Sequence, residues 1–168
     1  MRAILAISFI LSLQIDCVAQ NKFFIGSEGD YVILLNEDAG TKSTTTQTGY
    51  VDYFIFRENN TFNFMLSITK ANISGIDTQI IYSEEYKKSF LDECNCQIWD
   101  EEKVSFANFG GVLFKIESSI AGKPVKGYSV STVTAGILFT VNFLALEIGF
   151  EKLKGEYERA MNSLIFKY

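Results

Sequence analysis

A chain of 168 residues, 48% hydrophobic and 21% charged, suits one domain and is not disordered by composition. It contains no His, which removes the commonest general base and makes a Ser–His–Asp or Cys–His arrangement impossible within the chain. A net charge of −5 gives no electrostatic reason to bind nucleic acid or to grip anionic lipid.

Residues 1–20 read as a signal peptide that is removed: Arg2 is the basic start, Ala3 to Leu13 is an apolar run, and Val18 and Ala19 lie near a cleavage point. The run is too short to span a bilayer, which takes about 20 residues, and a buried first helix is the structural alternative. Lipid attachment at Cys17 is not expected, because Gln14, Ile15 and acidic Asp16 stand where a small apolar Leu-Ala-Gly would precede the Cys. Loss of the leader takes away Arg2 and Asp16, so the net charge of the mature chain, residues 21–168, stays at −5. The chain is thus expected to be exported, periplasmic or secreted, with no transmembrane span in the mature part.

Asn21 to Gly29 reads as a short lead-in, and Tyr31 to Leu35 as a first strand. The polar run Glu37 to Gly49 reads as a loop or a frayed edge strand. Tyr50–Arg57 and Thr61–Thr69 flank the turn Glu58-Asn59-Asn60. In the second of these strands Phe62, Phe64, Leu66 and Ile68 alternate with polar neighbours, which predicts a hairpin. Ile73 to Tyr82 has no clear period. Ser83 then offers an N-cap, with Glu84 and Glu85 in the first turn of a helix that ends near Glu93.

A short strand is expected from Val104 to Asn108, and a longer one where Val112, Phe114, Ile116, Ser118 and Ile120 alternate. The turn Ala121-Gly122-Lys123-Pro124 leads to Val125–Thr134 and, past Ala135-Gly136, to Ile137–Leu146. No charged residue occurs from Gly127 to Leu146, but its period of two marks paired strands rather than a membrane span. Phe150, Leu153, Tyr157, Met161 and Leu164 then form the single apolar stripe of a closing helix, and Ile165-Phe166 an extended tail. The fold class read from this order is α+β: a mostly antiparallel sheet of about six strands, a helix near 83–93, and a C-terminal helix packed on the sheet.

The order of elements resembles the Mog1/PsbP-like group, which includes photosystem accessory proteins, a nuclear-transport regulator and bacterial envelope proteins of the DcrB type. The residues that carry the resemblance lie between Phe106 and Phe166: the alternating strand, the Ala-Gly-Lys-Pro turn, two more strands, and a helix ending Asn162-Ser163-Leu164-Ile165-Phe166, similar to the group's Asn-Ser-Phe-x-Phe finish. The group shares no catalytic residues, so the resemblance implies a fold and an accessory character, not an enzyme.

Cys94-Asn95-Cys96 is the sharpest local feature, and three readings stand. The pair is structural or incidental, it forms a bridge or an intermolecular link, or it does thiol or metal chemistry. Two thiols and scattered carboxylates without His do not make a typical zinc site, so no metal and no cofactor is expected. The acids Asp92, Glu93, Asp100, Glu101 and Glu102 read as a solvated helix end and loop. Trp99 reads first as a core residue and second as a contact at a partner surface. The expectation is a non-enzymatic protein whose partner is another protein, with no nucleic acid. The alternative is a carrier of a small apolar ligand, with a pocket between sheet and helix lined by Phe114, Phe139 and Tyr157. A hydrolase working with carboxylates alone is third.

Overall fold

The structure is a computed structural model that describes residues 21–36, 38–59, 61–106 and 109–167. The expected leader and Cys17 lie outside the described residues. The fold is α+β, with two antiparallel sheets and two helices.

The larger sheet has seven strands in the order β3 (Gly40–Thr45), β4 (Gly49–Glu58), β5 (Thr61–Asn72), β9 (Ile137–Leu146), β8 (Lys123–Thr134), β7 (Phe109–Ile120) and β6 (Gln97–Phe106). Its centre is the meander read from the alternating sequence, and its tight turns use left-handed residues. Ala121 and Gly122 have φ of 50° and 77°, Ala135 and Gly136 have 50° and 75°. Two successive positive φ values are what a two-residue hairpin turn needs to match the twist of its strands. The smaller sheet, β1 (Asn21–Ile25), β2 (Tyr31–Asn36) and β10 (Ile165–Phe166), has β2 at its centre.

Alternation sends successive side chains of each central strand to opposite faces, and each face has its own core. On one face α2 (Phe150–Ser163) and the small sheet cover Phe54, Phe64, Leu66, Phe139, Val141 and Phe143, all buried. Phe24 meets Phe54 edge-on with centroids 5.4 Å apart, and Phe166 stacks on Phe139 at 4.2 Å. On the other face a 3-10 turn (Thr78–Tyr82) and α1 (Glu84–Cys94) cover Val112, Phe114 and Ile116. Ser83 caps α1 as expected, its hydroxyl accepting the Tyr86 N–H at 3.1 Å.

The sheets hold more strands than the six or so read from the sequence, and the extra ones are at the edges; of the two readings of Glu37 to Gly49, the edge strand is the one found. β3 is an edge strand exposed along its whole length. β1 occupies the lead-in and β10 the tail. The largest correction is β6, a ten-residue strand across the stretch read as a loop followed by a short strand. Its charges obscure any apolar alternation, because they serve cross-element ion pairs: Lys87 with Glu101 at 2.6 Å and Lys115 with Asp100 at 2.7 Å.

The three aromatics of the carrier pocket do not converge. Phe114 is opposite Ser129, and Ser129 opposite Asn142, so these share a face. Phe139, three residues from Asn142, points to the other face with Tyr157. The cavity between α2 and the sheet, lined by Leu35, Phe56, Phe64, Phe143 and Ala160 among others, holds about 10 Å³. That is room for roughly one water molecule.

Candidate partner-binding surface

The small sheet is tied down by a polar cluster assembled from five segments. Asp52 on β4 is 4% exposed and accepts the Tyr31 hydroxyl at 2.6 Å, the Ser27 N–H at 3.0 Å, and the hydroxyls of Ser27 and Ser43. Burial works to raise the Asp52 pKa, but these donors outweigh it and hold the carboxyl below its usual value. Burial and then the hydrogen bond to Asp52 push the Tyr31 phenol far above the ordinary range, so it stays a donor. Next to them Asp30 accepts the Tyr50 hydroxyl and pairs with Lys70 at 2.8 Å, and Lys70 also reaches Glu28 at 2.6 Å. Burial alone would lower the Lys70 pKa, but its carboxylate partners raise it. A depressed carboxylate already accepting four hydrogen bonds is a poor proton acceptor, and its role here is a clamp between the β1–β2 turn and the main sheet.

That clamp presents the outer face of the small sheet to solvent. In register, Phe23 lies beside Leu34, and Ile25, Val32 and Ile165 form the adjoining row. Phe23 and Ile25 are each 65% exposed and Ile165 61%, while Val32 and Leu34 are half-buried. The alternate residues Phe24, Tyr31, Ile33 and Phe166 turn inward to the core. Scattered exposed apolar side chains are ordinary, but these adjoin one another on one sheet face. The sequence reading missed it because β1 and β10 are too short to show a period. The signal present was Phe23-Phe24-Ile25, an apolar run with no polar alternate.

The residues singled out from the sequence lie elsewhere, at the start of β6. α1 ends at Asn95 in a left-handed conformation, φ 47°, whose N–H donates to the Leu91 carbonyl at 3.2 Å. Cys94 and Cys96 flank it and are joined by a disulfide, with Cα atoms 5.2 Å apart. The Ser118 hydroxyl donates to the Asn95 carbonyl at 3.1 Å. A shallow depression of about 370 Å³ opens here, lined by Asn95, Cys96, Gln97, Glu117 and Ser118. Among the described residues, no group of three or more Cys, Asp or Glu gathers as a metal site.

Trp99 is not in the core. It is 51% exposed, at a register shift between Ile98 and Asp100 that leaves it without a partner on β7. Such a bulge re-aims one side chain out of the alternation. The Lys115 ammonium sits 5.4 Å from the Trp99 ring centroid while pairing with Asp100 and Glu102. The hydrogen bonds from Lys115 to those two acids raise its pKa above the lysine range.

The bridge closes so small a ring that it removes little entropy from the unfolded chain, about 1.5 kcal/mol for roughly three residues. Replacing both Cys94 and Cys96 with Ser should therefore cost no more than about 2 kcal/mol in urea unfolding. A loss above about 3 kcal/mol would show that the bridge holds more than its own loop.

No family model matches the chain, and no curated protein matches it. Solved structures do. The solution structure of cyanobacterial PsbP, CyanoP, from Synechocystis sp. PCC 6803 aligns with a TM-score of 0.61 at 12% identity, over 89% of this chain and 94% of that one. The Saccharomyces cerevisiae Ran-binding protein Mog1p aligns at 0.59 with 6% identity, over 88% and 96%. LpqN of Mycobacterium tuberculosis, involved in cell envelope biogenesis, aligns at 0.55 with 14% identity, over 89% and 91%. The chain has the Mog1/PsbP-like fold. The Mog1/PsbP-like likeness extends well beyond the segment 106–166 that carried the sequence resemblance, and takes in most of the chain. At these identities it is a likeness of fold. Among the described residues of this Mog1/PsbP-like structure, no helix is long and apolar enough to cross a membrane.

Proposed function

We propose that this chain is an exported, non-enzymatic accessory protein that docks another protein on the outer face of its small sheet. The observation that carries the reading is the side-by-side exposure of Phe23, Ile25 and Ile165 on a sheet held rigid from beneath by Asp52 and its donors. A few side chains buried at the centre of a contact supply most of an interface's energy. Two neighbours in fold support an accessory role: one is a Ran-binding protein and another is involved in cell envelope biogenesis. Export rests on the apolar run Ala3 to Leu13 behind Arg2.

The test is a crosslinking pull-down from the native host's envelope with the mature chain, residues 21–168, beside its Phe23→Ser and Ile165→Ser variants. These side chains are exposed, so both variants should keep the wild-type circular dichroism and melting midpoint. Capture of one saturable partner should fall more than tenfold in each variant. Equal capture by the wild type and both variants would show that this face is not the docking site.

A further inference from the structure

β6 is an outer strand of the seven-stranded sheet, hydrogen-bonded to β7 on one side and, among the described residues, to no strand on the other. Half of its backbone N–H and C=O groups therefore point away from the sheet, a template on which a further strand can form. Local charge decides what kind of strand fits. From residue 92 to residue 103 there are five carboxylates, Asp92, Glu93, Asp100, Glu101 and Glu102, and one ammonium group, Lys103. Lys87 from α1 pairs with Glu101, and Lys115 from β7 with Asp100 and Glu102, so the two of these five acids with no ion pair among the described residues are the exposed Asp92 and Glu93. α1 also ends with no basic residue in its last turn, so Asp92 and Glu93 add to the negative end of the helix dipole instead of offsetting it.

Like charges directly opposite each other disfavour pairing of β6 with a second copy of itself. A basic strand has the reverse preference. The depression beside Cys96 and Glu117 lies at the beginning of this edge; Glu117 pairs with Lys126 at 3.3 Å and stays partly exposed, with room for a second cation. Exposed Trp99 already has Lys115 near its ring, and its remaining open surface can cover the aliphatic stem of a lysine or arginine.

We propose that the free edge of β6 takes an extended basic segment of a partner protein as an eighth strand, with a cationic side chain at the depression beside Glu117 and its stem against Trp99. Main-chain hydrogen bonds supply the affinity of such strand addition, and side chains its selectivity. The site is separate from the apolar face of the small sheet and stands or falls independently of it.

Trp99 is the chain's one Trp, so its fluorescence reports this edge alone. The probes are octapeptides alternating Thr with Lys or Thr with Glu, titrated into the mature chain. The Thr–Lys peptide should give a saturable emission shift that weakens at least tenfold between 50 and 300 mM salt, and the Thr–Glu peptide none. A double variant of the exposed pair, Asp92→Lys with Glu93→Lys, should bind the Thr–Lys peptide at least tenfold more weakly. Two further Thr–Lys peptides carry N-methyl groups on alternate amides, in the two possible registers. A strand added by one edge loses binding in one register and keeps it in the other. No saturable shift with the Thr–Lys peptide, or an equal response to both methylated registers, would overturn the proposal.

Discussion

Replacing Asp52 with Ala should destabilise the protein by about 2–4 kcal/mol, a large effect for one polar side chain. The loss comes from what is left behind. The Tyr31 hydroxyl, on a residue with no exposed surface, loses its acceptor, as does the Ser27 N–H. Ser43 is exposed and recovers a bond to water. Asp52→Asn keeps the shape but accepts less strongly, and should lose about half as much. The pH dependence has a definite sign. A carboxyl whose folded pKa lies below its unfolded value contributes stability that is fully present above the unfolded value, near 4, and is lost as pH falls through the folded one. Urea midpoints at pH 7 and pH 2.5 should therefore differ more for the wild type than for Asp52→Asn. An equal drop in both would mean that the carboxylate is not held as described. Because Ser27 and Tyr31 bracket the β1–β2 turn, the apolar face of the small sheet should also lose protection from hydrogen exchange before the main sheet does.

Phe143→Ala should cost still more, about 3–5 kcal/mol, within the range for emptying a core aromatic position. Phe143 is 1% exposed, with ring centroids 5.2 Å from Phe64 and 5.5 Å from Tyr157, so it joins β5, β9 and α2 in one contact. It also lines the cavity under α2, where the wild type has room for about one water. The variant should open a dry apolar space there and gain a small affinity for benzene, seen as a rise in melting temperature on addition. Thr44→Ala on fully exposed β3 should stay within about 0.5 kcal/mol of wild type. A loss below about 2 kcal/mol for Phe143→Ala would mean that the helix–sheet layer is far looser than its packing implies.

Local sequence was informative wherever one side of an element is wet and the other dry. β5 shows Phe64, Leu66 and Ile68 as a buried row, α2 shows a stripe from Phe150 to Leu164, and Ser83 announces α1 by a cap that satisfies a backbone N–H. These features depend on neighbours within a few residues, so the α+β class, the central meander and both helices could be read directly. The same locality explains the errors. β6 uses its side chains for ion pairs with α1 and β7, so it produces no apolar period; β3 has none either, having no buried side, and its segment was therefore read only as a loop or a frayed edge strand. Trp99, the chain's sole Trp, looked like core until a register shift turned it outward. The thiol pair was visible at once, but its disulfide and the depression beside it depend on how α1 ends and β6 begins.

The class of the fold, its central strands, its two helices and the absence of histidine chemistry follow from composition and short-range periodicity. That residues 21–25 and 165–166 complete one small sheet emerges from long-range packing, since the pairing joins the two ends of the described chain through β2. The same packing brings Ser27, Tyr31, Ser43 and Asp52 together and keeps Phe114 and Phe139 apart. Strand register and the facing of sheets are set by which distant segments exclude water together, and no window of local sequence records that.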